Sequence, residues 1–224
     1  MKQSKLSNYK IIITGGPTRE WIDPVRFISN PSSGKMGAAL ANAAKDYSDD
    51  IVFICGPICN CIKKSVSCSI IPVETTEQMK IEVMSLLRNN SILIMAAAPC
   101  DYLSENVSDK KLKKTPHPMS LSLKPAVDIL KEVKAVKTSF QNFITIGFSA
   151  ETNDSEKYAK EKLYEKDLDA ICLNDITKRG VGFGHDTNEL TIFLKNGGQV
   201  NLELMDKQSA AREILIAIEN NILL

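Results

Sequence analysis

The sequence predicts an α/β fold: a doubly wound, mostly parallel sheet with an antiparallel hairpin near the C-terminus and a lysine-rich flap. Three observations predict it. Short β-branched runs alternate with longer helical patterns, and the run from Ser91 to Ala98 is continuously apolar, as a strand covered on both faces is. Near the C-terminus, two strand-like segments flank Asn196-Gly197-Gly198, a hairpin turn signal.

Taken in order, Lys10-Ile11-Ile12-Ile13-Thr14 is a β-branched strand halted by Gly15-Gly16-Pro17. Gly34 to Tyr47 is alanine-rich with no breaker beyond Gly37, and reads as a helix. Ile51 to Cys55 is a second strand, and Ile70 to Val73 a shorter third. Thr75 and Gln78 have capping-box spacing, opening a helix to about Leu87. The Ser91–Ala98 strand follows, and from Cys100 to Pro118 the pattern dissolves into polar, lysine-rich chain. Met119 to Leu123 alternates as a strand, Asp128 to Val136 is helical, Phe143 to Phe148 a strand, Ser155 to Glu165 a helix and Ala170 to Leu173 a strand. The hairpin pairs Glu189–Leu194 with Val200–Leu204, and a final helix places Ala211, Ile214, Leu215 and Ile218 on one face. With no repeat or linker, the 224 residues are read as one domain of Rossmann-like type.

Composition excludes several function classes. Lys+Arg 28 against Asp+Glu 27 leaves a formal net charge of +1, too little for a broad nucleic-acid-binding surface. No run approaches the roughly 18 apolar residues of a membrane span. The polar start, Met1 to Ser7, has no signal-peptide pattern, so the expected location is the cytoplasm. Cys55, Cys59, Cys61 and Cys68 contain no C-x-x-C pair, and His117 and His185 are distant; together with Cys100 and Cys172 they are expected as buried or half-buried thiols.

In doubly wound sheets ligands bind beyond the carboxyl ends of strands, near the point where strand order reverses. The residues after Thr14, Ala98 and Phe148 are therefore the places to seek chemistry. After the first strand, Ser32-Ser33-Gly34-Lys35 leads into a helix N-terminus, whose free N–H groups favour phosphate. The segment is neither a Walker A loop nor a G-x-G-x-x-G fingerprint, and Gly37 with the following alanines lets the helix approach the sheet closely. Arg19, Arg26, Asn30 and Lys35 crowd this loop. After the Ser91 strand, Ala96-Ala97-Ala98 leaves room for a ring or ribose, and Asp101 serves as a ligand to a hydroxyl or a metal, or as a turn residue. Lys110-Lys111-Leu112-Lys113-Lys114 reads as a solvated face or as a lid beside a phosphate site. Phe148 ends a further strand, Lys162 and Lys166 share one helical face, and Gly180-Val181-Gly182-Phe183 is turn chemistry.

Together, Asp23-Pro-Val-Arg-Phe-Ile-Ser-Asn30, Ser32-Ser-Gly-Lys-Met-Gly37, the K-x-K-K element from Lys111 to Lys114 and Gly147-Phe-Ser-Ala-Glu-Thr-Asn153 resemble the phosphopantothenate–cysteine ligases, from Ile11 to about Leu204. The resemblance implies a stand-alone ligase of coenzyme A biosynthesis without the flavin-dependent decarboxylase half, which would act next as a separate enzyme. It implies CTP, with ATP as the other nucleotide, and Mg²⁺ on its phosphates. The carboxylate of 4′-phosphopantothenate would attack the α-phosphate, and L-cysteine would then displace CMP from the acyl-cytidylate. By the same resemblance Asn30, Lys111 and Arg26 are catalytic, Asn30 donating an N–H to the developing oxyanion, Lys111 stabilising phosphate charge as the flap of residues 103–118 closes, and Arg26 orienting substrate. Ser33, Gly34, Lys35, Ala97, Asp101, Asp128, Ile129, Phe148, Lys162 and Lys166 are the nucleotide-binding candidates, and a homodimer is expected. Ala126-Val127 and Pro99-Cys100 depart from the usual family residues near the base pocket. Two other readings stay open: an NAD(P)-dependent oxidoreductase, which the alternating pattern alone suggests, and a nucleotide-binding domain without turnover.

Overall fold

The structure, a computed structural model, describes residues 4–151, 153–175, 182 and 184–223. Thr152 and, of the segment 180–183 expected as a turn, residues 180, 181 and 183 lie outside the described residues.

In chain order the elements are β1 (Lys10–Gly15), β2 (Arg19–Asp23), β3 (Arg26–Ser29), α1 (Lys35–Ala44), β4 (Ile51–Cys55), α2 (Asn60–Ser65), β5 (Ser69–Pro72), α3 (Thr76–Leu86) and β6 (Ser91–Met95). They continue with β7 (Tyr102–Ser104), β8 (Leu123–Pro125), α4 (Ile129–Val136), β9 (Phe143–Glu151), α5 (Ser155–Glu165), β10 (Ala170–Asp175), β11 (Thr187–Leu194), β12 (Gln199–Asp206) and α6 (Lys207–Asn221).

An eight-stranded sheet runs β12-β11-β10-β9-β6-β1-β4-β5. β5, β4, β1, β6, β9 and β10 run parallel to one another; β11, antiparallel to β10, and β12, antiparallel to β11, close one edge. The doubly wound prediction therefore holds. Alternation within β1 divides the core: Ile11 and Ile13 face α1 and α6, whereas Ile12 joins Met79 and Val83 of α3, Val133 of α4 and Leu163 of α5. Each such fully buried side chain contributes about 1.5–3 kcal/mol relative to exposure.

The chain moves from β1 outward to β4 and β5, then returns to place β6 on the other side of β1. That reversal puts the crevice beyond the carboxyl ends of β1 and β6. Gly37 makes the approach of α1 feasible: a Cβ there would lie 2.8 Å from Gly15 Cα and 2.9 Å from the Thr14 carbonyl oxygen. Gly34, at φ +78°, caps α1 in the left-handed region with no side-chain hydrogen bond.

Several predicted boundaries move. The first long helix ends at Ala44 rather than Tyr47, and the α3 capping box forms with both reciprocal bonds. β6 ends at Met95, because residues 96–98 turn away to form the crevice floor, with Ala98 bridging Pro17. Residues 119–122 are not a strand; β8 begins at Leu123 and pairs with β7. β9, β10, β11 and β12 run longer than predicted. The β2–β3 hairpin and α2 were absent from the prediction. The hairpin is polar in sequence and is fixed by tertiary contacts: Arg19 N–H donates to Glu74 O at 2.8 Å, Trp21 meets Phe27 edge-on at 5.2 Å, and the Arg19 guanidinium sits 4.5 Å above the Phe27 ring.

The cysteines also differ from expectation. Cys55, Cys100 and Cys172 are buried and Cys68 is half-buried, but Cys59 and Cys61 are exposed, because the short α2 lies on the surface. No described helix is long and apolar enough to cross a membrane.

Candidate functional site

The crevice is a cleft of about 720 Å³ walled by the loop before α1, the turn after β6, the start of α4, the end of β9, α5 and the start of α6. All ten nucleotide-binding candidates line it: Ser33, Gly34, Lys35, Ala97, Asp101, Asp128, Ile129, Phe148, Lys162 and Lys166. Residues drawn from six separate segments thus converge on one cavity. Ala97 owes its position to β1, since its N–H donates to Thr14 Oγ1 at 3.1 Å.

One wall is a lysine–carboxylate network. Lys166 Nζ donates to Asp128 Oδ2 at 2.6 Å, and Asp128 Oδ1 accepts the Lys131 N–H at 3.1 Å, capping α4. Burial, the largest effect, raises the affinity of Asp128 for a proton, but the Lys166 hydrogen bond, the Lys131 N–H and the charges of both lysines together outweigh it and hold the carboxyl below its usual range. Lys162 Nζ donates to the Phe148 carbonyl at 2.9 Å. Desolvation pushes the Lys162 ammonium down, opposed by Glu151, Asp128 and Asp101. At the α1 end, Lys35 Nζ pairs with Asp186 at 2.6 Å.

The three catalytic candidates lie outside this lining. Asn30 is beside it: Nδ2 donates to the carbonyls of Ala98 and Pro99 at 3.2 and 3.0 Å, both of them cleft residues. Two carbonyl neighbours fix the amide orientation, commit its N–H groups and leave Oδ1 without a partner among the described residues. The N–H expected to meet a developing oxyanion is thus already used. Arg26 does not point at the cleft. Its Nε and a terminal nitrogen donate to Asp23 Oδ2 at 3.0 and 2.5 Å, and the same terminal nitrogen reaches Leu112 O at 2.9 Å. Lys111 is exposed, one residue before that anchor.

Buried polar groups set the β6 turn in place. Thr18 Oγ1 lies 2.8 Å from Thr76 Oγ1 and accepts the Cys100 N–H at 2.9 Å, while Glu20 accepts the Thr76 N–H at 2.8 Å. Cys100 is itself buried against Thr18 and Ile28 carbonyls, and desolvation raises its thiol pKa. The Pro99-Cys100 pair thus lines the cleft, Pro99 half-buried and held by the Asn30 amide, Cys100 buried behind it.

Residues 6–222 match the family described as the DNA/pantothenate metabolism flavoprotein C-terminal domain. The chain belongs to that family. It is 44% identical over 210 residues to the coenzyme A biosynthesis bifunctional protein CoaBC of Bacillus subtilis, covering 94% of this chain and 51% of that protein. The chain thus spans about half the length of the curated relatives it matches. The crystal structure of the C-terminal domain of a CoaBC protein superposes with a TM-score of 0.76 at 34% identity, covering 95% of each chain. A Cab2 mutant in complex with phosphopantothenate-cysteine shares the fold, with a TM-score of 0.75 at 17% identity over 96% of this chain and 87% of that one.

Sequence reasoning about this family member missed Glu151, Asn174, Asn188 and Lys207, all of which line the cleft, and the role of Asp23. Asn188 sits at the start of β11 and Lys207 at the start of α6, far along the chain, where nothing in the local pattern signals a site. Asp23 did carry a signal, in the Asp-Pro turn ahead of Arg26.

Proposed function

We propose that the chain is a phosphopantothenate–cysteine ligase that uses CTP. The observation that carries this reading is the convergence of ten nucleotide-binding candidates on one cleft with the Asn30 amide clamped at its edge. The carboxylate of 4′-phosphopantothenate has no leaving group until nucleotidyl transfer supplies one, so catalysis reduces to holding charge and geometry.

The α1 N-terminus and Lys35 receive the phosphates, while Ala126, Val127 and Asp128 with Lys166 face the base. Lys111, carried by the flap that Arg26 and Asp23 anchor, closes over the phosphates during acyl-cytidylate formation. Asn30 acts through its free Oδ1, which accepts an N–H of the cysteine amine and aims its lone pair at the activated carbonyl. Release of CMP leaves the amide. Mg²⁺ held on the nucleotide's own phosphates would neutralise their charge.

A homodimer agrees with the exposed Val25, Phe27, Tyr102 and Leu123 on the two small hairpins; sedimentation at twice the 24.7 kDa chain mass is the expected result. Incubating the protein with CTP, Mg²⁺, 4′-phosphopantothenate and cysteine should release pyrophosphate and yield the amide. Without cysteine, the acyl-cytidylate should accumulate and no amide form. A parallel assay with ATP decides the nucleotide. Absence of pyrophosphate release with either nucleotide sinks the ligase reading.

A further inference from the structure

Lys207, the first residue of α6, is 8% exposed and lines the cleft. Its Nζ donates to Asn188 Oδ1 at 2.7 Å and to the Thr187 carbonyl at 3.1 Å, both neutral acceptors. No carboxylate lies within ion-pair distance of it among the described residues. The Asn188 Nδ2 donates to Met36 Sδ at 3.3 Å, which favours the orientation that turns Oδ1 to Lys207. Asn174, another cleft residue, holds a buried Oδ1 with no hydrogen-bond partner among the described residues.

A buried ammonium is costly unless an opposite charge compensates it. The nearby charges do not do so. Lys35 of α1 repels it, and Asp186, beside His185 in the segment before β11, is 85% exposed in its side chain and already paired with Lys35. Asp206, the preceding residue, is taken up by the N–H groups of Gln208 and Ser209. The two regions of the cleft differ accordingly. Around Phe148, Lys131, Lys162 and Lys166 are balanced by Asp101, Asp128 and Glu151, whereas among the described residues the lining at the α1 and α6 end holds Lys35 and Lys207 and no carboxylate.

We propose that Lys207 is a phosphate-binding residue, its buried ammonium completing an anion site with Lys35 and fixing the nucleotide with its phosphates towards α1 and α6. This rests on the nucleotide reading above and adds a residue and an orientation to it. Desolvation, with Lys35 second, brings the Lys207 ammonium down to about 8. The free protein therefore loses this charge in mildly alkaline solution, whereas the last phosphate ionisation, near about 6, is already complete.

The test is calorimetric titration of the full chain with CTP, cytidine and inorganic tripolyphosphate. Lys207→Met should weaken CTP and tripolyphosphate about tenfold or more, the worth of one charge-assisted hydrogen bond, and leave cytidine within about twofold. Wild-type affinity for CTP should fall between about pH 7 and about pH 9.5 as Lys207 deprotonates, while Lys207→Arg, which stays charged, should bind with little pH dependence. Unchanged tripolyphosphate and CTP affinity in a folded Lys207→Met overturns the proposal. Where that variant does not fold, Lys207→Arg decides: an alkaline fall as steep as that of wild type overturns it. If wild type binds tripolyphosphate through Lys207 but neither CTP nor ATP, the nucleotide reading fails and the anion site stands.

Discussion

Asp23 and Leu112, 89 residues apart in sequence, are joined through one carboxylate oxygen: Asp23 Oδ2 accepts the Leu112 N–H at 3.1 Å while also receiving the Arg26 guanidinium. The same guanidinium donates to Leu112 O, so both backbone groups of the residue after Lys111 are held by the β2–β3 turn. Asp23 Oδ1 meanwhile takes the N–H groups of Val25 and Arg26, both at 2.9 Å. The lysine-bearing flap is therefore hooked to the β2–β3 turn at Leu112.

Asp23→Asn should release that hook. An amide cannot accept all of these donors, so Lys111 loses its fixed base and nucleotidyl transfer should slow by about tenfold to a hundredfold, the scale of an ångström-sized misplacement. Hydrogen exchange across residues 103–118 should accelerate in the same variant; unchanged exchange contradicts the hook.

The same carboxylate predicts an acid response. The Arg26 hydrogen bond, opposed by desolvation and aided by the Val25 and Leu112 N–H groups, holds the Asp23 carboxyl well below its ordinary range. Its folded-state affinity for protons is thus lower than in the unfolded chain, so its stabilisation is full above about pH 4 and is lost as pH falls below that. Flap exchange corrected for intrinsic rate should rise in that acid range in wild type, and Asp23→Asn should show no such step.

Asn30→Asp places carboxylate oxygens against the Ala98 and Pro99 carbonyls in place of the two N–H donors. The side chain should leave its clamp, and amide formation should slow more than acyl-cytidylate formation, by about a hundredfold. Single-turnover measurement of the two steps checks this; equal losses in both contradict the assigned role.

Gly37→Ala drives a methyl group into Gly15 Cα and the Thr14 carbonyl, both backbone. α1 must shift outward, costing about 1–3 kcal/mol of stability and moving the Gly34 N-terminus away from the cleft. Denaturant melts should record the loss, together with weaker CTP binding.

Lys111→Gln should slow pyrophosphate release about tenfold to a hundredfold while leaving the melting curve unchanged, because the side chain is exposed. A matching loss of stability would remove Lys111 from the chemistry.

By itself the sequence determined the doubly wound alternation of the main-sheet strands and their covering helices, the capped start of α3, the close approach at Gly37 and ten of the residues that line the cleft. Those are local matters of side-chain period, turn chemistry and motif, which neighbouring residues settle between themselves. The tertiary structure alone decided which donors remain available. It committed both Asn30 N–H groups to the β6 turn, drew Arg26 onto Asp23, and brought Lys207 into a cavity whose other walls lie up to 175 residues away in the chain, from Ser32 onward. The physical reason is that hydrogen-bond satisfaction and desolvation depend on everything that surrounds a group in space, and spacing along a chain does not encode them.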